Sequence, residues 1–248
     1  MAEDLPEDLL ERKKIASSVP GHQPQTSARF HADLYRRILE NRHKGQGIVE
    51  VGCFSGGSTI VLGHLCEQLG WPFHVIDINQ AYIDLTKTVL DRVGDRSAPI
   101  FFAGTLEEFA QAHRLDYRIN TILIDANHDY EFVRKDIQSI YSLNRRPHFA
   151  AFHDYSLRSS NPAHGNIRVD RAIHDSWGAR LPLERIGIQF GPDPAPSRQR
   201  PSPSGSYWEA NGSEAVMIAL ADVGLPADLG LLRRLRIMAN WRDKVASR

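Results

Sequence analysis

The apolar positions of this chain fall into two kinds of run, and the two alternate. Short, nearly unbroken apolar runs stand at residues 47–51, 73–76, 100–103, 121–124 and 148–152. Between them lie longer stretches whose apolar residues recur every three or four positions. The first kind predicts strands covered on both faces, and the second predicts amphipathic helices. Helices are expected over 57–69, with Val61, Leu62, Leu65, Cys66 and Leu69 on one face, over 80–93, and over 130–143, where Val133, Ile137, Ile140 and Tyr141 turn inward. Gly70 and Gly94 stand where the first two should stop. Thr105, with Glu108 three residues on, predicts a capped short helix after the third strand. Strands alternating with helices at this spacing predict an α/β fold, a mostly parallel sheet with helices on both faces.

The flanks are less regular. Phe30, Leu34 and Ile38 mark a helix over 27–41, and the polar residues 1–24, with Pro6, Pro20 and Pro24, read as an arm or short helix outside the core. After the fifth strand the pattern predicts a helix at 166–177 and two final strands at 183–188 and 215–220. Residues 191–206, rich in Pro, Ser and Gly, read as a flexible loop. Residues 226–248 read as a basic helix carrying Leu231, Leu232, Leu235 and Met238. The expected layout is an arm and helix at 1–40, a main domain at 41–225 and a C-terminal helix at 226–248.

Composition narrows the function classes. The chain has 248 residues, 30 basic and 30 acidic, for zero formal net charge. Nothing there points to nucleic acid, which selects a basic excess or stripe. No stretch approaches the roughly 18 apolar residues of a membrane span, and the first residues lack the apolar segment of a secretory signal. Two cysteines, Cys53 and Cys66, make no disulfide framework. A cytoplasmic protein with a small-molecule partner is expected. The arm and the C-terminal helix offer surfaces for a homodimer.

The chemistry starts at the first strand. Residues 49–59 read Val-Glu-Val-Gly-Cys-Phe-Ser-Gly-Gly-Ser-Thr, a glycine turn between a strand and a helix. Glycines there allow a sharp turn and close approach of a ligand. The spacing is not the G-x-G-x-x-G of a dinucleotide site, which counts against an NAD-dependent oxidoreductase. Glu50, just before the turn, would repel phosphate and suit a cationic ligand. Asp77 ends the second strand 25 residues after Gly52, where a carboxylate can accept from ribose hydroxyls. This combination resembles the class I S-adenosylmethionine-dependent methyltransferases. The resemblance implies a Rossmann-like fold with a seven-stranded, mostly parallel sheet whose last strand is antiparallel. It also implies cofactor contacts from Glu50, Gly52, Gly56, Ser58 and Asp77, with Thr105 framing the adenine.

A second constellation lies at the fourth and fifth strands. Residues 124–131 read Ile-Asp-Ala-Asn-His-Asp-Tyr-Glu, and 152–155 read Phe-His-Asp-Tyr. Neighbouring strands would bring Asp125 and Asp154 together at the carboxyl edge of the sheet. Two carboxylates so placed call for a cation or a shared proton. The stretch resembles the metal-dependent O-methyltransferases that act on macrolide and aminocoumarin sugars, and the cephalosporin-hydroxylase-like group. That resemblance implies a divalent ion, Mg²⁺, on Asp125 and Asp154, with Asp125 also near the cofactor, and O-methylation of a hydroxyl on a sugar or aromatic unit of a natural product. Some relatives carry an aspartate base where Asn127 stands; His128 is the candidate to replace it. His153 stands where the sugar-modifying relatives have a second acid, as a base or a metal-side group. The competing readings are a metal-independent transferase with a histidine base, the oxidoreductase, and a non-catalytic cofactor-binding protein.

Overall fold

A computed structural model describes residues 5–192, 205–227 and 229. Its strands are β1 (Ile48–Val51), β2 (Phe73–Asp77), β3 (Ile100–Ala103), β4 (Thr121–Ile124), β5 (Phe149–Phe152), β6 (Leu157–Ser159), β7 (Glu184–Gln189), β8 (Ser206–Trp208) and β9 (Ser213–Ala219). Its helices are α1 (Glu7–Ala16), α2 (Ala28–Glu40), α3 (Gly57–Leu69), α4 (Gln80–Val93), α5 (Leu106–Ala112), α6 (Tyr130–Ile140) and α7 (Val169–Trp177). Seven strands form one sheet in the order β3-β2-β1-β4-β5-β9-β7. β1 to β5 run parallel, and β9 is antiparallel to both β5 and β7. This is the mostly parallel sheet that the alternation predicted, in the Rossmann-like form that the resemblance implied, with its single reversed strand next to the outer edge.

Strand alternation divides the core in two. Ile48, Val75, Leu123 and Ala151 face α1 to α4, while Val49, Ile76, Ile122 and Ala150 face α5 to α7. The helix ends follow local chemistry. Gly70 and Gly94 take left-handed conformations as the C-caps of α3 and α4. Thr105 and Glu108 form the expected capping box of α5.

Three readings of the sequence need correcting. The polar N-terminal segment is not outside the core: α1 packs on α3 and α4, with Leu9 and Ala16 fully buried. Its few apolar residues were outnumbered by charges, of which Glu7, Glu11 and Lys14 stay exposed while Arg12 and Lys13 are half-buried. The helix expected from residue 166 starts at Val169, because Asn166 is engaged elsewhere: its carbonyl accepts from Tyr130 N–H at 2.9 Å, and its own N–H donates to Asp129 at 2.7 Å. A two-stranded sheet of β6 and β8 was not anticipated; strands of three residues carry too little pattern to read. Most of the loop at 191–206 and of the helix at 226–248 lies outside the described residues.

Candidate active site

The glycine turn opens a pocket of about 650 Å³ at the carboxyl edge of the sheet. Gly52 has φ of +91°, and a Cβ there would lie 2.2 Å from the Asp125 carbonyl oxygen. Only glycine lets β1 leave the sheet this close to β4. Gly56, at φ +84°, is the N-cap of α3 and faces Thr86; it shapes the turn but does not line the pocket. Asp77 ties the turn down. Its Oδ2 accepts from the N–H of Cys53 at 2.9 Å and of Phe54 at 3.4 Å, and its Oδ1 from Asn79 N–H at 2.8 Å. It lines the pocket and keeps lone pairs for a ligand.

Glu50 is fully buried under the same pocket, and neither carboxylate oxygen has a hydrogen-bond partner. Burial pushes its carboxyl well above the usual range, outweighing the Thr59 hydroxyl beside it that acts the other way, and the nearby charges of Asp125 and Asp77 add to the rise. An unpartnered buried acid facing a cavity is shaped for a cationic ligand.

At the other side of the pocket four side chains converge. Asp125, His128, His153 and Asp154 each offer one ligand atom, all within 4.8 Å of one another. β4 and β5 pair with Ile124 opposite Phe152, which sets Asp125 and His153 side by side. Strand alternation alone would send Asp154 to the opposite face from His153. It does not, because β5 ends at Phe152 and Asp154 adopts left-handed φ of +54°. That conformation is unfavourable for a non-glycine residue and is held by its surroundings. The result places His153 Nδ1 at 3.1 Å from Asp125 and 3.2 Å from Asp154. His128 Nε2 lies 2.9 Å from Asp154 and 3.5 Å from Asp125. Both nitrogens are buried and make no well-formed hydrogen bond.

The charges are strongly linked. Burial opposes a charge on His128, but Asp154 and Asp125 outweigh it and hold its pKa up at about 10. Burial likewise opposes a charge on His153, and the same aspartates outweigh it, raising its pKa well above the ordinary value. Burial would raise both aspartates, yet the facing histidines bring them below the ordinary carboxylate value. The four groups thus form a closed charge network of two acids and two bases.

Sequence reasoning missed what stands behind His153. Glu214, on β9, places Oε1 3.3 Å from His153 Nε2. Glu214 in turn accepts from Ser27 N–H at 2.8 Å, the Ser27 hydroxyl at 2.5 Å and Ile188 N–H at 2.9 Å. No local motif marks this residue, since β9 reaches β5 only through the antiparallel return. Asn127 lines the pocket, but its Oδ1 accepts from Asp129 N–H at 2.9 Å to shape the turn into α6. Tyr155 turns away and meets His174 Nε2 at 2.8 Å, whereas His164, unmarked by any motif, lines the pocket.

Residues 49–155 match a family model described as a methyltransferase domain. Over these residues the chain is similar to that family. Solved structures with the same fold include an O-methyltransferase from Bacillus cereus in complex with SAH, 15% identical, covering 86% of this chain and 90% of that one at a TM-score of 0.54. The O-methyltransferase TomG from Streptomyces achromogenes, involved in tomaymycin synthesis and solved with SAM, is 16% identical over 87% and 90% of the two chains, at a TM-score of 0.54. The cofactor-bound protein Rv0187 from MTB is 15% identical over 87% and 90%, at 0.58. No curated protein matches the sequence.

Within the matched residues, Glu50, Gly52, Ser58, Asp77, Thr105 and Asp125 line one pocket, and His128, His153 and Asp154 line it too. Of the residues expected to bind or react, only Gly56 stands back from it. Thr105 is less free than expected: its hydroxyl lies 3.0 Å and its N–H 2.8 Å from the Glu108 carboxylate. Among the described residues, no helix is long and apolar enough to cross a membrane.

Proposed function

We propose that the chain is an S-adenosylmethionine-dependent O-methyltransferase for a hydroxyl of a small molecule, and that it works with a divalent cation. The observation that carries this reading is the convergence of Asp125, His128, His153 and Asp154 in the wall of the pocket that the glycine turn opens. The cofactor reading gives Glu50 the positively charged methionine end and Asp77 the ribose hydroxyls, with Ile78, Leu106 and Ala126 as apolar surface for the base.

The donor set fits a metal. Two carboxylates and two buried imidazole nitrogens without good hydrogen bonds face one another. Imidazole nitrogen suits Mn²⁺, Fe²⁺ or Zn²⁺ better than Mg²⁺, so the Mg²⁺ implied by resemblance gives way to one of these. Asp125, Asp154 and His153 are the ligands in this reading. His153 is 3% exposed and backed by Glu214, whereas His128 is 27% exposed and nearer the open pocket. When bound, the ion would lower the pKa of an acceptor hydroxyl.

His128 then serves as base. In the metal-free protein the aspartates keep it protonated at neutral pH, and a protonated imidazole cannot accept the proton. With the aspartate charges taken up by a cation, it can. This weighs against a metal-independent histidine base. The hydroxyl proton passes to His128, the oxygen forms a bond to the methyl carbon, and the carbon–sulfur bond breaks with its electron pair going to sulfur. S-Adenosylhomocysteine leaves. The side chains chiefly position the reactants in line, which accounts for much of the rate in such transfers.

The test is methyl transfer from labelled S-adenosylmethionine to a panel of hydroxylated sugars and phenols, with and without a chelator. Turnover that the chelator abolishes and Mn²⁺ restores is expected. Full turnover in the chelator's presence would remove the metal from the reading.

A further inference from the structure

Among the described residues, Lys13 is a cation without an anion. It projects from α1, and its ammonium donates to His31 Nδ1 at 2.6 Å. Among the described residues no carboxylate comes within ion-pairing distance of it, and burial alone acts on its charge. That burial lowers it to about 8, so it remains charged at neutral pH. A partly buried charge without a counter-ion is costly unless something completes it.

The charge has a route to the pocket. An ammonium only donates, so His31 Nδ1 accepts and the ring's proton sits on Nε2. Nε2 donates to Thr26 Oγ1 at 2.8 Å and lies 3.4 Å from Ser58 Oγ. His31 itself is fully buried. Thr26 and Ser58 both line the pocket. Receiving a hydrogen bond from the ring leaves the Thr26 hydroxyl proton free to point onward. Ser58 is in the first turn of α3, whose N-cap Gly56 supplies no side-chain cap, so the positive end of that helix faces the same corner.

Glu50 is the second, independent sign of a ligand: fully buried, unpartnered and lining the same cavity. An acid in one part of the wall and a set of polarised donors backed by a lysine in another suit a ligand carrying both an ammonium and a carboxylate. We infer that Lys13 is a positioning residue that holds the carboxylate of the cofactor's methionine moiety, acting through His31, Thr26 and Ser58. The inference rests on the cofactor reading above. It gives α1, which the polar sequence pattern set apart, a part in the site.

The experiment compares two ligands by calorimetry. S-Adenosylhomocysteine carries the amino-acid end; 5′-methylthioadenosine lacks it but keeps the nucleoside and sulfur. Lys13→Met is expected to weaken S-adenosylhomocysteine about tenfold or more, the scale of a hydrogen-bonded charge lost from a partly buried site, while methylthioadenosine binds as to the wild type. Lys13→Arg is expected to recover part of the loss. Methylthioadenosine also reports whether the variant has kept its fold. Equal losses for both ligands, no loss for either, or a loss as large in Lys13→Arg would overturn the inference. Wild-type protein that binds neither ligand would instead sink the cofactor reading, and this inference with it.

Discussion

Glu214 Oε1 stands 3.3 Å from His153 Nε2, on the side of the ring away from the Nδ1 that faces Asp125 and Asp154. Glu214 stays ionised: burial would raise its carboxyl, but His153, Ile188 N–H and Ser27 together bring it below the ordinary value. An ionised acceptor keeps a proton on Nε2 and leaves Nδ1 as the nitrogen turned to the site. Groups that orient a metal-binding imidazole in this way typically change metal affinity about 10- to 100-fold. Glu214→Gln should therefore weaken Mn²⁺ binding about tenfold or more, read by titration, while cofactor affinity holds. An unchanged Mn²⁺ affinity would mean that Glu214 only packs β9.

The histidine charges give the site a pH signature. His128 and His153 have pKa values raised above the ordinary 6.5, His128 to about 10. Their pairing with the aspartates therefore stabilises the metal-free protein fully below about pH 6.5, and for His128 that contribution fades as pH rises through about 10. A cation must displace these protons, so its affinity should climb with pH across the same window and protons should be released on binding. Mn²⁺ titrations in buffers of different ionisation enthalpy measure this. Binding without proton release at pH 7 would show that the histidines are already neutral.

His128→Gln separates chemistry from binding. The side chain touches neither Glu50 nor Asp77, so S-adenosylhomocysteine should bind as to the wild type. Turnover should fall about 10²- to 10⁴-fold, the usual contribution of a general base. Wild-type turnover in this variant would move the base role elsewhere.

Gly52→Ala probes the turn itself. The added Cβ would fall 2.2 Å from the Asp125 carbonyl oxygen, on a backbone at φ +91°. Neither strand can retreat, since β1 and β4 are paired in register from Ile48 to Val51. A loss of stability on the order of a few kcal/mol is expected, measured by denaturant unfolding, together with loss of cofactor binding.

Much of this was legible in the sequence. β1, β2, β4 and β5 announce themselves because strands covered on both faces are continuously apolar, as Ile122 and Leu123 illustrate by facing opposite layers, whereas β3 is as apolar but stands at the sheet edge with Ile100 exposed. Glu50, Asp77, Asp125 and Asp154 could be placed because each lies at or just beyond the carboxyl end of a strand on the same sheet edge. The rest depended on distance along the chain. Glu214 lies 61 residues from His153, Lys13 18 residues from His31, and Ser58 27 from His31; none of these pairs leaves a local mark. The role of His153 was blurred for a different reason. Alternation separates it from Asp154, and only the left-handed backbone at Asp154, which no residue type signals, brings the two together.

The central claim is that one pocket holds S-adenosylmethionine beside a divalent ion on Asp125, His153 and Asp154. The most direct measurement is anomalous diffraction from crystals grown with S-adenosylhomocysteine and Mn²⁺. The account expects a manganese peak within about 2.3 Å of ligand atoms of those three residues, with the ligand's sulfur in the same pocket and its amino group near Glu50. A ligand seated there with no manganese peak between the aspartates, or a peak bound elsewhere, would contradict it.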